Sequence, residues 1–281
     1  MTSRKILLIG IDGLRLDDAL DSGAAPNLSA LIAAGALHRL TMEVPTISGP
    51  GWASLLTGLD HSEHGVFDNS FHAHTLFRGT DLLTQAFAGD PTRGTFVATG
   101  WPPIADPQGP GPIIATRLDQ QRVGLHRVVI RDGETYGYRY ADGDVAAFAR
   151  LAIREAGPHA SFVYLGEVDE AGHLYGGVSP EYTSAIGRVD LHLGAIVAAV
   201  HERAAARDED WLVGVTTDHG HVDEGGHGGA DEVVTASFLA LVRITPAGTT
   251  ADGLPLPAAG AEAGTAVRPT DVPRILLAHL A

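Results

Sequence analysis

The feature that most limits the possible folds of this chain is a set of three apolar runs, each followed closely by an aspartate. The runs and their aspartates are residues 5–11 with Asp12, residues 161–166 with Asp169, and residues 211–217 with Asp218. A near-continuous apolar run of this length is typical of a parallel strand that is buried on both faces. Because ligands bind at the carboxyl ends of such strands, we expect the three carboxylates to share one edge of a sheet.

Helical patterns alternate with these strands along the chain. Helices are predicted at residues 26–35, 81–87, 145–157 and 180–207, and two more strands at 37–44 and 95–100. A last helix is predicted after Asp271, beyond a loop rich in Gly, Ala, Pro and Thr at residues 246–266. Strands that alternate with helices predict an α/β fold with a mostly parallel central sheet and helices on both faces.

The segment from residue 102 to about 144 departs from this alternation. Proline and glycine are dense near its start, and residues 127–140 alternate like a β-hairpin that turns at Asp132 and Gly133. We therefore predict one domain over residues 1–281, with a small insert at 102–144 that lies over the sheet.

The composition excludes several classes of protein. A net charge of -15 leaves no basic surface of the kind that binds nucleic acid. The chain has no cysteine, which excludes disulfides, thiolate metal sites and cysteine nucleophiles. The first strand follows Lys5 without a secretory signal, and no uninterrupted apolar run approaches a membrane span. We expect a cytoplasmic protein with no membrane partner.

Carboxylates and histidines gather after the predicted strands. The candidates are Asp12, Asp169 with His173, and Asp218 with His219 and His227. Oxygen and imidazole ligands without thiolate suit Zn, and also Mn or Fe. Six such residues exceed the needs of one tetrahedral site, so they indicate two divalent metal ions. Two ions about 3.5–4 Å apart can clamp a phosphoryl group between the attacking and the leaving oxygen.

A turn at residues 44–58 leads from a predicted strand into a short apolar helix. The hydroxyl of Ser48 would lie at the helix N-terminus, where free N–H groups and the helix dipole favour an anion. Serine is also a preferred N-cap, and taken alone this pattern is better explained by capping. Beside a metal ion, the Ser48 hydroxyl would instead be activated as a nucleophile.

At these residues the sequence resembles the alkaline phosphatase superfamily, and most of all its nucleotide pyrophosphatase/phosphodiesterase branch. The matching pieces are Ile-Asp-Gly-Leu-Arg at 11–15, Pro-Thr-x-Ser-x-Pro at 45–50, Leu-Thr-Gly at 56–58, Glu-His-Gly-x-Phe-Asp-Asn at 63–69, Trp-Pro at 101–102, Asp-x-x-Gly-His at 169–173 and Asp-His-Gly at 218–220. They run in the family's order from residue 6 to about 230. The resemblance implies an alkaline-phosphatase-like catalytic domain, with the insert over its active site.

The resemblance also implies a role for each site residue. One metal would be held by Asp12, Asp218 and His219 together with Ser48, and the other by Asp169, His173 and His227. The side-chain amide of Asn69 would bind a phosphoryl oxygen together with a backbone N–H of the nucleophile turn, as donors that stabilise transition-state charge do.

Two assignments involve a choice between neighbours. The family's nucleophile lies two residues before the proline of its turn, which favours Ser48 over Thr46, although the branch usually has threonine there. His227 is preferred to His221 as the last ligand, although the family usually has a long insertion before it. That missing insertion leaves the nucleotide preference open. Trp52 stands where a sulfatase would have arginine, which argues against a formylglycine sulfatase.

The expected function is a two-metal phosphohydrolase that cleaves phosphodiester or pyrophosphate bonds of a small-molecule substrate through a phosphoseryl intermediate. Arg15 could take the second charge of a phosphate, which keeps a phosphomonoesterase as an alternative. A phosphomutase of the same superfamily is another alternative. A non-catalytic metal- or phosphate-binding protein is less favoured, because every ligand position and the nucleophile are filled.

Overall fold

An eight-stranded sheet forms the centre of the computed structural model, which describes residues 2–255 and 266–281. The strands are β1 Ser3–Ile11, β2 Ala36–Thr41, β3 Thr95–Thr99, β4 His126–Ile130, β5 Ala160–Leu165, β6 Glu209–Thr216, β7 Ala236–Thr245 and β8 Gly248–Thr250. Their order across the sheet is β2-β7-β6-β1-β5-β3-β4, and β8 pairs with the end of β7.

Helices cover both faces of this sheet. They are α1 Leu16–Asp21, α2 Pro26–Ala34, α3 Ser48–Thr57, α4 His61–His64, α5 Leu82–Gly89, α6 Leu118–Arg122, α7 Gly133–Tyr136, α8 Tyr138–Glu155, α9 Glu167–Tyr175, α10 Pro180–Arg207, α11 Glu232–Thr235 and α12 Val272–Ala278. Short 3₁₀ helices occur at Leu76–Arg78, Pro102–Ile104 and Pro269–Asp271.

The pairing of the strands confirms the predicted α/β fold. Strands β6, β1, β5, β3 and β4 run parallel to one another, whereas β7 is antiparallel to β2, β6 and β8. Strand β1 lies between β5 and β6, so that Ile11 is level with Leu165 and Gly10 is level with Thr216. The three strands that carry the aspartates therefore end side by side.

The hydrophobic core lies in two layers, one on each face of the sheet. On one face, Leu7 and Ile9 of β1 join a cluster formed mainly with α8 and α10. On the other face, Ile6 and Leu8 join a cluster with α3, α5 and α12. Because both faces of β1 are covered, its sequence is apolar from Ile6 to Ile11 and does not alternate there with polar residues.

Helix α10 has the bounds that the sequence predicted, and Ser179 caps it by accepting a hydrogen bond from the amide of Tyr182. By length and apolar composition it could cross a membrane, alone among the helices described. In the structure its apolar side, which includes Ile186, Val189 and Leu193, packs into the core instead. A core helix passes the same compositional test as a membrane span.

The hairpin predicted over residues 127–140 is wrong. Strand β4 pairs in parallel with β3 at the edge of the sheet, and the side chain of Asp132 accepts from the amide of Thr135 to cap α7. An Asp-Gly pair can begin a helix as readily as it can turn a hairpin, and here it begins one. Helix α8 consequently starts at Tyr138, seven residues before the predicted start.

Other differences from the sequence prediction are smaller. Strand β7 and the short helix α4 were not predicted from the sequence. In the loop expected over 246–266, β8 forms at its start, and residues 256–265 lie outside the described residues. The division into one domain with an insert at 102–144 stays a prediction, although β4 within that segment belongs to the central sheet.

Candidate metal and nucleophile site

The carboxyl edge of the sheet brings the predicted site residues together. Asp12 follows β1 directly, and Asp218 with its neighbouring histidines follows β6. Strand β5 leads into α9, where Asp169 and His173 are four residues apart and therefore share one face of the helix. Helix α3 brings Ser48 to the same edge. Residues that are far apart in sequence thus meet because their strands are neighbours.

The first cluster consists of Asp12, Asp218 and His219, all completely buried, with ligand atoms within 4.8 Å of one another. The Nε2 atom of His219 lies 3.4 Å from Oδ1 of Asp12 and 3.3 Å from Oδ2 of Asp218. The Oγ atom of Ser48 lies 3.3 Å from the same nitrogen. Four potential donors of the predicted set therefore surround one small volume.

The second cluster consists of Asp169, His173 and His227, and it is more open to solvent. The Nε2 atom of His173 lies 3.5 Å from Oδ2 of Asp169 and 3.0 Å from Nε2 of His227. The Nε2 atom of His227 lies 3.8 Å from Oδ1 of Asp169. The structure thus brings the six residues together in two groups of three.

The chemistry of these residues fits divalent cations. Among the described residues, Oδ1 of Asp12 and Oδ2 of Asp218 are buried without a hydrogen-bond partner. Burial, and then the nearby charge of Asp12, raise the pKa of Asp169 to about 7. The same two causes raise the pKa of Asp218 well above its usual range. Buried carboxylates that oppose each other's ionisation are stabilised by a bound cation, and oxygen with imidazole suits Zn, Mn or Fe.

The hydrogen bonds of two histidines direct their Nε2 lone pairs into the clusters. The Nδ1 atom of His219 faces the carbonyl of Gly220 at 3.1 Å, and Nδ1 of His227 faces the carbonyl of Thr46 at 2.8 Å. A carbonyl can only accept, so Nδ1 carries the hydrogen in each ring and Nε2 is free to bind a metal. Burial lowers the pKa of His219 well below its usual range, which keeps that ring neutral.

His221 is bonded in the opposite sense. Its Nδ1 accepts from the amide of Gly226 at 3.1 Å, so its Nε2 carries the hydrogen and donates to Oδ1 of Asp169 at 2.8 Å. Its ring lies against Gly172, where a Cβ atom would come within 2.6 Å of Nε2. Although His221 is close enough to count among possible ligands, its hydrogen bonds favour an orienting role toward Asp169 and favour His227 as the ligand.

The two candidate nucleophiles differ in what their hydroxyls contact. Thr46 donates to the carbonyl of Gly229 at 2.8 Å and accepts from the amide of Gly228 at 3.1 Å, which holds the loop beyond His227. Ser48 does not cap α3; it is the first residue of the helix, after Ile47. Its hydroxyl faces the first cluster, and its amide has no acceptor within the helix because of its position.

Asn69 approaches α3 from the loop after α4. Its Oδ1 accepts from the amide of Gly49 at 2.7 Å, so the amide nitrogen of its side chain is directed elsewhere. The backbone of Asp68 packs so closely on Gly49 that a Cβ atom there would lie 2.8 Å from the carbonyl oxygen. The glycine therefore allows the loop to hold Asn69 beside Ser48.

Arg15, a candidate phosphate ligand, is already paired. Its Nη1 donates to Oδ1 of Asp223 at 2.7 Å, and its Nε contacts the carboxylate of Asp18. Two carboxylates thus compensate its positive charge.

Two hydrogen-bond donors to the first cluster were not predicted from the sequence. The indole Nε1 of Trp52 and the hydroxyl of Tyr164 both donate to Oδ2 of Asp12, at 2.9 and 2.7 Å. The available signal was weak: Trp52 lies one helical turn after Ser48, and Tyr164 is a polar residue within a buried strand.

A family model and curated relatives match this chain. The model of the type I phosphodiesterase/nucleotide pyrophosphatase family matches residues 6–243. An uncharacterized pyrophosphatase/phosphodiesterase of Schizosaccharomyces pombe is 25% identical over 218 residues, which are 70% of this chain and 41% of that protein. Human ectonucleotide pyrophosphatase/phosphodiesterase family member 1 is 26% identical over 212 residues, 70% of this chain and 21% of that protein. The chain spans less than half the length of either relative.

Solved structures share the fold at lower identity. Phosphonoacetate hydrolase from Sinorhizobium meliloti 1021, in complex with phosphonoformate, has a TM-score of 0.56 and 18% identity over 78% of this chain and 57% of that chain. An inactive threonine-to-alanine variant of murine ectonucleotide pyrophosphatase/phosphodiesterase 5, in complex with AMP, has a TM-score of 0.57 and 21% identity over 77% of this chain and 57% of that chain. At these identities the likeness supports the fold alone.

Proposed function

The chain belongs to the type I phosphodiesterase/nucleotide pyrophosphatase family of the alkaline phosphatase superfamily, and we propose that it hydrolyses phosphodiester or pyrophosphate bonds in a small-molecule substrate. The observation that carries the proposal is the 3.3 Å between Oγ of Ser48 and Nε2 of His219. That distance supports Ser48 as the nucleophile, because an ion held by the first cluster would activate its hydroxyl.

The ligand residues divide between two divalent ions, with zinc as the first choice. Asp12, Asp218, His219 and Ser48 would hold one ion, and Asp169, His173 and His227 the other. When bound, such ions supply the positive charge that favours the Ser48 alkoxide and offsets charge on the leaving oxygen.

The chain's own groups then carry out two displacements at phosphorus. The Oγ atom of Ser48 forms a bond to phosphorus as the bond to the leaving oxygen breaks, which gives a phosphoseryl intermediate and a free alcohol or phosphate. Water next bonds to the same phosphorus, and Ser48 departs and regains its proton. The backbone N–H of Ser48 and the side-chain amide of Asn69 would donate to the non-bridging oxygens, where negative charge builds up.

Arg15 bears on the choice between a diester and a monoester. A monoester brings one more negative charge to the site than a diester does. Arg15 is the residue that the sequence offered for that charge, and its guanidinium is paired with Asp18 and Asp223. We therefore favour the diester or pyrophosphate substrate, in agreement with the family's description. The murine neighbour's complex with AMP is consistent with a nucleotide as the organic part.

The test is metal-dependent hydrolysis of two chromogenic esters, bis-p-nitrophenyl phosphate and p-nitrophenyl phosphate, with Zn or Mn added to metal-free protein. The wild type is expected to prefer the diester. Ser48→Ala is expected to lose on the order of 10³-fold or more in kcat, with metal content unchanged. Ser54→Ala, a serine in the same helix whose hydroxyl contacts His64 at 3.1 Å, is the matched control.

Acid quenching followed by peptide mass spectrometry would detect phosphate on Ser48. A monoester preference would move the chain to the phosphatase side of the superfamily. Phosphate found on Thr46, or full activity of Ser48→Ala, would contradict the proposed nucleophile. No turnover of either ester by protein that holds both ions would contradict the general diesterase.

A further inference from the structure

Asp12 makes different contacts with its two carboxylate oxygens. Oδ2 accepts from Nε1 of Trp52 at 2.9 Å and from the hydroxyl of Tyr164 at 2.7 Å. Oδ1 has no hydrogen-bond partner among the described residues and lies 3.4 Å from Nε2 of His219. One oxygen is therefore held by two donors, while the other faces the first cluster.

The two donors are neutral, and the chemistry of each group fixes the direction of its hydrogen bond. An indole nitrogen can only donate, and a tyrosine hydroxyl that faces a carboxylate donates its single hydrogen. Neither residue brings a positive charge that would compete with a cation for Asp12. The contacts therefore fix the carboxylate in place without replacing the ion that it would bind.

The donors also connect Asp12 to two other parts of the site. Trp52 belongs to α3, one turn after Ser48, so the helix that carries the hydroxyl is bonded to the strand that carries Asp12. Tyr164 is in β5, which leads into α9 with its ligands. The rings of Trp52 and Tyr164 pack edge to face, with centroids 5.5 Å apart.

The packing around Trp52 is built for this contact. The side chain is completely buried, and it occupies the space above Gly10, where a Cβ atom would lie 2.3 Å from the indole ring. The residue at that position of β1 must therefore be glycine for the indole to reach Asp12. Packing in the core alone would not require a hydrogen bond from the indole nitrogen to a buried carboxylate.

We propose that Trp52 and Tyr164 are positioning residues that hold Asp12 as a metal ligand through one oxygen. The inference rests on the two-metal function proposed above and adds residues that the ligand set did not include. Without one donor, the carboxylate can rotate and present either oxygen, and the ion that it shares with Asp218 is held less tightly. Outer partners of metal ligands typically contribute about 10–100-fold to affinity.

The experiment measures the affinity of metal-free protein for Zn²⁺ by competition with a chromophoric chelator, and the visible spectrum of the Co²⁺ form. Tyr164→Phe removes one hydroxyl and keeps the ring. It is expected to bind two ions, one with affinity lower by about 10–100-fold and the other with unchanged affinity. The Co²⁺ spectrum of the weakened site is expected to change as well, because the geometry of its ligand changes.

Tyr138→Phe is the matched control, because Tyr138 packs on Tyr164 with ring centroids 6.5 Å apart but, among the described residues, makes no hydrogen bond to Asp12. It is expected to bind both ions as the wild type does. Trp52→Phe removes the second donor, and the double variant is expected to bind the ion more weakly than either single variant. Thermal unfolding of the metal-free proteins separates lost affinity from lost folding.

The outcomes separate this proposal from the function on which it rests. If the wild type binds no Zn²⁺ at either cluster, the proposed function fails. If the wild type binds two ions and Tyr164→Phe binds each of them as tightly as the wild type does, the positioning proposal is overturned and the proposed function stands. An equal loss in Tyr138→Phe would also overturn it, since that loss would reflect packing rather than the bond to Asp12.

Discussion

The Nε2 atoms of His173 and His227 lie 3.0 Å apart, although one residue is on α9 and the other is in the loop after β6. Because Nδ1 of His227 donates to the carbonyl of Thr46, its Nε2 lone pair is directed toward His173. Imidazole nitrogens that converge beside the carboxylate of Asp169 are what a zinc ion binds. The fold thus brings these three side chains to one place where an ion would bind.

Replacing His227 by Ala is expected to abolish binding of one metal ion and to leave the other in place. The substitution removes a lone pair from the second cluster, whereas the first cluster draws its ligands from Asp12, Asp218 and His219. Zinc content after dialysis, measured by elemental analysis, would give the stoichiometry.

His221→Asn is the comparison for that experiment. His221 donates to Asp169, so its loss is expected to retain both ions and to weaken one of them by about 10–100-fold. If His221→Asn lost an ion and His227→Ala kept both, the assignment of ligand and orienting residue would be reversed.

Asn69→Ala is expected to lower kcat by about 10²–10³-fold, the usual loss when one donor to a developing charge is removed. Metal content should not change, because the hydrogen bond of Asn69 is to the amide of Gly49, which is not a proposed ligand. Steady-state kinetics with the diester would measure the loss.

Asn69→Asp refines the test, since it keeps an oxygen for the amide of Gly49 but has no N–H group to donate. A loss at least as large as that of Asn69→Ala is expected. Wild-type rates in Asn69→Asp would mean that the side chain only holds the turn and does not bind the phosphoryl group.

The stability of the protein is expected to fall between pH 6.5 and pH 4 in part through His64. Its Nδ1 accepts from the amide of Val66 at 3.0 Å, and burial lowers its pKa to about 4. Below pH 6.5 the unfolded chain takes up a proton that the folded protein excludes. The contribution is thus complete above pH 6.5 and is lost toward pH 4, by up to about 3 kcal/mol.

Urea unfolding at a series of pH values would measure this dependence. His64→Gln is expected to be less stable at neutral pH, but to lose less free energy of unfolding between pH 6.5 and pH 4. Burial also lowers the pKa of His126 to about 4. His126 would therefore account for part of the pH dependence of the free energy of unfolding that remains. If the free energy of unfolding of His64→Gln depended on pH as that of the wild type does, His64 would be ruled out as a source of this dependence.

Gly10→Ala is expected to destabilise the protein by about 1–3 kcal/mol, the usual cost of overpacking a core. The new methyl group would lie 2.3 Å from the ring of Trp52, which must move away from Asp12. Metal affinity is therefore expected to fall together with the melting temperature. Gly94→Ala is the control, because a Cβ atom there meets nothing within 4 Å.

The central strands could be predicted because a strand covered on both faces must be apolar throughout. From that one feature the parallel sheet followed, and with it the meeting of Asp12, Asp169 and Asp218 at one edge. The hydrophobic pattern was enough for this prediction because neighbouring parallel strands end at the same level. Strand β7 has an equally apolar sequence, but it runs antiparallel and carries none of these aspartates or histidines, so nothing drew attention to it.

The local conformation at Asp132 and Gly133 and the contacts of individual side chains could not be predicted from the sequence. Asp132 and Gly133 satisfy the requirements of a turn and of a helix start alike, and only the pairing of β4 with β3 decides between them. The choice between His221 and His227 depends on which backbone group each Nδ1 meets. The contact of Trp52 and Tyr164 with one oxygen of Asp12 depends on packing between α3 and β5, which no local pattern encodes.

The place of β1 between β5 and β6 has a consequence for the order of events during synthesis. A ribosome that has made residues 1–207 has released the nucleophile turn and Asp12, but neither β6 nor the residues that follow it. The edge of β1 that pairs with β6 is then open, and the first cluster lacks two of its three ligands. The first cluster is therefore completed late, only after β6 and the residues that follow it have left the ribosome and paired with β1.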